Sequence, residues 1–524
     1  MTGKLQLWAC VLTSVVKFAV AEGKCDAATF KDVSLFGAKI QNITTVTHSG
    51  LSLEVPYAQN HYATNITNLD ACEVAITYTH PGYNDVINTV MWLPTAERWT
   101  GRFLGNGGGG WSSFVEDNTT LPWAASEGFA VISTDGGHVG GTGPEEWALL
   151  SPGNLNWNLL QDFASLALDD AATLGKAVTK AYYGKAPDHS YWNGCSQGGR
   201  QGYMMAQRYP EQYDGILATA PAVGYGQIFM QFYWAQAVMN DLGHYPSPCE
   251  FEAVSVAAVK YCDPIDGLED NIVLSSNECD FDPSTMVGKE YVCPSLNSSA
   301  VISTTAAIVA KEIWKGSSSP SGELLWPGLD KSASLAIHAR TECFSNGTCH
   351  GLPAPLPIQW IKYFLALDPD FDTTNISTVQ FDRLFRDSVE RYSSVIGTES
   401  TDLTYFKKAG GKLLTWVGYA DLTLGRRYIE NYVKKVYARD PEASDYYRYF
   451  EAPSVDHCGI GPGGYYPGDA LKSLIEWVEK GVAPETLEAK VRNQGFKTAN
   501  LCLWPKKMVY LGGNGTDASS FGCE

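Results

Sequence analysis

Gly194-Cys195-Ser196-Gln197-Gly198 decides how this chain is read: it sets a serine in G-x-S-x-G spacing and puts a cysteine directly before it. A serine held on a sharp strand-to-helix turn points its hydroxyl outward, and small flanking residues let the strained backbone pack against its neighbours. Ser190, Tyr191 and Trp192 read as a short strand after the turn signal Ala186-Pro187-Asp188. Gly199 to Arg208 reads as a helix ending near Pro210. In a chain with 51 glycines the bare spacing arises by chance, so the strand-turn-helix context carries the expectation of a nucleophile.

The flanks of this turn alternate strands and helices. From Leu51 to Leu93 apolar and polar residues often alternate, with turn signals at His80-Pro81-Gly82 and Asn84-Asp85. Phe103-Leu104 leads into the glycine run Gly107 to Gly110 and Trp111. Phe129 to Ser133 is a further strand, running into Thr134-Asp135-Gly136-Gly137-His138, and Leu159 to Ala177 has helical periodicity. Such alternation predicts a mainly parallel sheet covered on both faces, which with the serine elbow reads as an α/β-hydrolase fold. After Ala220-Pro221 the pattern is lost. Residues 222–405 are rich in Pro, Ser, Gly, Asp and Cys and read as an inserted lid domain. The core then resumes over 406–524 with a strand at Lys412 to Gly418, a helix from Gly425 to Ala438 and a strand at Tyr446 to Phe450. The first part of the core is expected over 22–221.

A serine nucleophile needs a base and an acid to orient that base, and in this fold they follow in the order Ser, Asp or Glu, His. Of the nine histidines, only His457 lies beyond both the serine and the insertion, in the loop after the last predicted strand. For the acid, Asp421 stands three residues after the strand ending at Gly418. Asp456 shares the histidine's loop, Asp445 precedes the final strand, and Asp421 also fits as a cap for the helix that follows. The residue after the nucleophile, Gln197, supplies one backbone donor to an oxyanion, and Gly108 in the glycine run is the expected second. Neither a P-loop nor a complete dinucleotide fingerprint accompanies that run, so no organic cofactor is expected.

Cys195 precedes the serine and Cys458 follows the histidine. If Ser196 and His457 meet, their neighbours are brought close, so a bridge between the two cysteines is one reading. Pairing elsewhere, or packing as buried thiols, is the other. Met1 to Ala21, with Lys4, an apolar run and Ala19-Val20-Ala21, reads as a secretory signal peptide with the mature chain starting near Glu22. Losing Cys10 with it leaves an even number of cysteines, suited to disulfides in an oxidising compartment. Asn42, Asn65, Asn118, Asn297, Asn346, Asn375 and Asn514 all stand in N-x-S/T and are candidate glycosylation sites. A formal charge of −19 argues against nucleic acid and anionic membranes as partners, and no later stretch is long and apolar enough for a membrane span. Secretion into the extracellular medium is the expectation, with oligomeric state left open.

A second cluster lies in the insertion, from Cys262-Asp263 through Asp266-Gly267-Leu268-Glu269-Asp270-Asn271-Ile272 to Cys279. Three aspartates on a glycine turn can converge on a hard cation such as calcium, although an Asp-Gly turn is more often only a turn.

Together, Gly194-Cys195-Ser196-Gln197-Gly198-Gly199, Asp421 and His457-Cys458 resemble the fungal tannase and feruloyl esterase family. His80-Pro81-Gly82, the Gly107-to-Trp111 run, Thr134-to-His138 and the Cys262-Asp263 stretch add to the likeness, which spans nearly the whole mature chain. The resemblance implies that Ser196 forms the acyl-enzyme, that His457 is general base and acid, and that Asp421 orients it. It also implies a Cys195 to Cys458 bridge, a lid, and a structural calcium ion held by Asp263, Asp266 and Asp270 with the carbonyls of Leu268 and Ile272. Asn271 stands where a glycine commonly follows the third aspartate. Further pairings suggested are Cys25 to Cys72, Cys249 to Cys293, Cys262 to Cys279, Cys343 to Cys349, and Cys502 to Cys523. The implied activity is hydrolysis of feruloyl esters of plant cell-wall polysaccharides. A tannase acting on galloyl esters is the alternative, and an inactive hydrolase fold used for binding is the distant one. Phe229, Phe232, Tyr233, Trp234, Trp360, Tyr363 and Phe364 are candidates to line an aromatic pocket, or else helical packing.

Overall fold

A computed structural model describes residues 23–524 except 58–59, 116, 139–142, 295–296, 462 and 493, and leaves out the side chains of 494–496. The expected leader, Met1 to Ala21, and the Glu22 start lie outside the described residues. Nine strands form the central sheet: β1 (Lys39–Val55), β2 (Thr64–Thr79), β3 (Ile87–Pro94), β4 (Arg102–Asn106), β5 (Phe129–Thr134), β6 (His189–Cys195), β7 (Gly215–Thr219), β8 (Lys412–Gly418) and β9 (Tyr447–Ala452). Their spatial order is β1-β2-β3-β5-β4-β6-β7-β8-β9. The first three strands and the β3–β5 pair are antiparallel, and every pair from β5 onward is parallel. This is the α/β-hydrolase arrangement with an extra antiparallel edge strand.

Successive residues of the inner strands point to opposite faces, and each face has its own helices. Phe103, Ile132, Trp192, Ile216 and Leu413 pack with α2 (Ala167–Tyr183), α3 (Gln197–Arg208) and α5 (Arg426–Arg439). Their neighbours Leu104, Val131, Tyr191, Leu217 and Leu414 pack with α1 (Thr120–Ser126), α6 (Ala470–Lys480) and a small C-terminal sheet of β10 (Tyr465–Tyr466), β11 (Thr486–Val491) and β12 (Gln494–Cys502).

Residues 222–405 form a mostly helical body, with long helices at α4 (Tyr225–Leu242), Pro248–Cys262, Thr304–Lys315 and Thr378–Tyr392. They share a third core with Trp111, Trp147, Phe163, Cys195 and Cys458, so this body packs onto the region around the serine turn. The sequence shows no period in α4 because the helix is buried on nearly every side. The expected helix from Leu159 to Ala177 is split by a π-helical turn at Asp162–Leu166. The suggested pairings all form: Cys25–Cys72, Cys195–Cys458, Cys249–Cys293, Cys262–Cys279, Cys343–Cys349 and Cys502–Cys523.

The π turn starts at a buried acidic cluster. His80 Nδ1 stands 2.6 Å from Asp85 Oδ2 and its Nε2 3.1 Å from Asp170 Oδ2, so both ring nitrogens meet carboxylates. Asp162, fully buried, lies beside them with no donor on either oxygen. Burial above all, then the charges of Asp85 and Asp170, push Asp162 up to about 8, so at neutral pH it keeps a proton. A carboxyl raised in the fold from 3.8 contributes stability that is full below that value and is lost as pH climbs through 8. Asp162→Asn keeps the neutral shape and a donor. Its melting temperature relative to wild type should rise by at least about 3 °C between pH 5 and pH 8. Parallel pH profiles for the two proteins would refute the assignment.

Candidate active site

The last residue of β6 is Cys195, and the chain turns at Ser196 (φ 62°, ψ −117°) straight into α3. A left-handed φ at a non-glycine residue costs of order 1–3 kcal/mol and needs surrounding contacts to hold it. Here the Ser196 N–H donates to the carbonyls of Thr219 and Ala220 at the end of β7, and its carbonyl accepts from Arg200 and Ala222 N–H. The turn has no room for side chains at its glycines. A Cβ on Gly194 would stand 2.5 Å from the Gly198 carbonyl carbon, and one on Gly199 2.5 Å from the Thr219 oxygen.

His457 and Asp421 come from neighbouring loops at the ends of β9 and β8. His457 Nδ1 is 2.9 Å from Asp421 Oδ2, and Asp421 Oδ1 accepts from the N–H groups of Thr423 and Leu424 at 2.8 and 2.9 Å. The carboxylate is 1% exposed, so its direction toward the ring is fixed by these three bonds. The two loops are also joined by the Ala420 N–H to the Val455 carbonyl. Asp456 Oδ1 accepts from the His457 backbone N–H at 2.6 Å. Burial pushes the His457 imidazole down, but the Asp421 charge and hydrogen bond, with Asp456 behind them, outweigh it and leave the ring above its ordinary 6.5.

Ser196 and His457 line one cavity of about 450 Å³, together with Gln197, Gly108, Gly109 and both bridged cysteines. The Cys195 and Cys458 Cα atoms are 5.9 Å apart. The far wall is apolar: Tyr225, Ile228, Phe229 and Phe232 of α4, with Ile337 and Leu356. Of the aromatic residues singled out in the sequence, Phe229 and Phe232 reach the cavity. Trp360 and Phe364 instead stack against Trp111, with centroids 6.1 and 5.2 Å away.

The sequence profile of the family described as "Tannase and feruloyl esterase" matches residues 72–524. The chain belongs to this family. It is 38% identical to a probable feruloyl esterase of Arthroderma benhamiae, over 98% of this chain and 96% of that protein. It is 28% identical to a tannase of Aspergillus oryzae, over 89% and 87%. Among solved structures it is similar to the tannin acyl hydrolase of Aspergillus niger, at 27% identity, TM-score 0.87 and 95% of both chains. The fold is also that of feruloyl esterase B from Aspergillus oryzae, at 23% identity, TM-score 0.78, and 96% and 100% coverage.

Within this family fold, one expected residue does not fit its role. The Gly108 N–H donates to Gln201 Oε1 at 3.0 Å, while the Gly108 carbonyl accepts from Gly198 N–H, so its amide is committed to holding the glycine run against α3. The next residue, Gly109, lines the same cavity and has no atom within 4 Å of where a Cβ would stand.

Arg200 is a feature that sequence reasoning missed. It is fully buried one turn after Ser196, and no carboxylate pairs with it among the described residues. Its Nε donates to Gln197 Oε1 at 2.7 Å and its Nη1 to the Ala164 and Ile396 carbonyls. The guanidinium also lies 5.8 Å from the Phe163 ring and 5.7 Å from that of Tyr225. One charge thus ties the π turn, the inserted body and the residue after the serine together, and burial lowers it to about 9. Nothing in the motif distinguishes Arg200 from a solvent-facing helix residue.

In the acidic loop, Asp263 Oδ1 accepts from Asp270 N–H, and Asp266 accepts from Leu268 and Leu274 N–H. Asp270 Oδ1 accepts from Ile272 N–H, and its Oδ2 is 3.2 Å from Lys497 Nζ. Asn271 adopts φ 64°, a conformation asparagine tolerates, so the chain bends there as a glycine would. Asn42, Asn65, Asn118, Asn297, Asn346, Asn375 and Asn514 are all exposed. Among the described residues no helix is long and apolar enough to cross a membrane.

The Cys195–Cys458 bridge closes a span of 263 residues, worth about 5.5 kcal/mol by the chain-entropy estimate. Cys195→Ala with Cys458→Ala should lower the denaturation midpoint and turnover together. Unchanged values of both would show that the link does not organise the site.

Proposed function

We propose that this chain is a secreted serine carboxylesterase that hydrolyses feruloyl and related hydroxycinnamoyl esters of plant cell-wall polysaccharides through an acyl-enzyme. The observation that carries the reading is one cavity holding Ser196 and the Asp421-oriented His457 against an apolar, partly aromatic wall. His457 Nε2 takes the Ser196 proton as Oγ attacks the ester carbonyl, then passes it to the leaving alcohol. Water repeats the sequence in reverse to free the acid. The oxyanion is met by the N–H groups of Gln197 and Gly109, and Arg200 fixes the first of these through the Gln197 side chain. Arg200→Lys cannot reach the same acceptors.

The acyl wall supports ferulate over gallate. Each buried ring hydroxyl left without a partner costs about 1–3 kcal/mol, and a ring seated against Ile228, Phe229, Phe232, Ile337 and Leu356 finds no side-chain hydrogen bond there, the polar side chains of Tyr57, Tyr225, Thr423 and Arg492 lining other parts of the cavity. The tannase reading rests on the relatives named above. Comparing kcat/KM for methyl ferulate, caffeate, sinapate and gallate separates the two, with ferulate or caffeate expected to lead and gallate to trail. A gallate lead overturns the substrate reading, and methyl ferulate hydrolysis that survives in Ser196→Ala overturns the nucleophile. Because Asp421 raises the His457 pKa, Asp421→Asn should move the acid limb of kcat/KM to lower pH while reducing kcat by about 10⁴. An unshifted limb contradicts the pairing.

The acidic loop is proposed to hold a structural calcium ion through Asp263, Asp266 and Asp270 with the carbonyls of Leu268 and Ile272. The donors are all hard oxygens, as calcium prefers, and Asp266 is pushed up to about 6 by burial and then by the charges of Asp263 and Asp270, a crowding a cation relieves. Metal analysis of purified protein should find calcium in molar ratio, with a chelator lowering the melting temperature and calcium restoring it. Absence at stoichiometric levels rejects the site. The exposed sequons are proposed as N-glycan sites, consistent with secretion.

A further inference from the structure

Arg492 is the one cationic side chain among the described cavity-lining residues other than the titratable His457, and no Asp or Glu lines the cavity with it. It follows β11 directly. Its Nη1 donates to the Ile460 carbonyl at 2.5 Å, and the guanidinium carbon stands 4.4 Å from the Tyr57 ring. Both Tyr57 and Ile460 line the cavity, and Tyr57 is backed by Tyr466 at 4.4 Å. Of the five N–H donors of a guanidinium, one is used by Ile460, and no carboxylate of a described residue comes within 4.0 Å. In a chain with net charge −19, a cation held this way without a carboxylate partner is a ready site for an anion.

The chemistry says which half of the substrate meets it. His457 returns its proton to the leaving alcohol, so the alcohol half lies against His457 and the acyl ring against the α4 wall. Ile460, whose carbonyl holds Arg492, is three residues beyond His457. We propose that Arg492 selects esters whose alcohol half bears a carboxylate: aromatic-acid esters of a polyhydroxy acid or of a uronic-acid unit. The inference rests on the esterase reading above and deepens it.

The test compares kcat/KM for caffeoyl quinate, the same compound with its carboxylate methylated, and methyl caffeate, in wild type, Arg492→Gln and Arg492→Lys. Wild type should prefer the free acid to its methylated form by about tenfold, mostly through KM and less so at high salt. Arg492→Gln should remove that preference, and Arg492→Lys should keep part of it. Feruloylated galacturonic acid against feruloylated arabinose then separates a uronic-acid unit from a small polyhydroxy acid as the source of the carboxylate. An acid-to-methyl ratio near one in wild type, or a ratio unchanged in Arg492→Gln, overturns the proposal while methyl caffeate hydrolysis leaves the esterase reading intact. Failure of wild type to cleave any of the three overturns both.

Discussion

The bond between Cys195 and Cys458 is the constraint on which the rest of the site depends. It joins the residue before the serine turn to the residue after His457, across 263 residues of chain that include the whole inserted body. The proposed nucleophile and base come from β6 and from a loop beyond β9, strands separated in the sheet by β7 and β8. Backbone packing alone would leave their separation to two loops. A covalent link one residue away from each removes that freedom and keeps the pair in register while substrate enters and product leaves.

Around this link the supports are arranged in layers. The left-handed backbone of Ser196 is held by β7 carbonyls, His457 by Asp421, and Asp421 by two amides of its own loop. Arg200 connects the helix after the serine to the π turn and to Ile396 of the inserted body. The π turn in turn begins at the proton-holding cluster of His80, Asp85, Asp162 and Asp170. Acid–base chemistry at the cavity and acid–base stability of the core thus use different carboxylates, Asp421 in one and Asp85, Asp162 and Asp170 in the other.

Much of this was legible in the sequence, for identifiable reasons. The sheet was readable because its inner strands are short apolar runs that alternate with helical stretches, as a parallel sheet covered on both faces requires. The Asp421–His457 pairing was readable because chain order left a single histidine after the insertion. The disulfide pairings followed from resemblance and not from spacing. The helices of 222–405 were not readable, since α4 is apolar all round and shows no period. The bond that occupies the Gly108 N–H was not readable, because it is made by Gln201, whose side chain reaches it only in the folded chain. Arg200 escaped notice for the same kind of reason: burial of a charge is a property of the fold and leaves no mark at the residue itself.

The central claim is that Ser196, set by its bridged partner loop, takes the acyl group. Mixing the protein with an activated ferulate ester, quenching in acid within the first turnover and mapping the peptides by mass spectrometry tests this most directly. The account predicts one feruloyl group on the peptide carrying Ser196, absent from Ser196→Ala and removed on longer incubation. A feruloyl group on another residue, or turnover with no acylated peptide at any time, would contradict it.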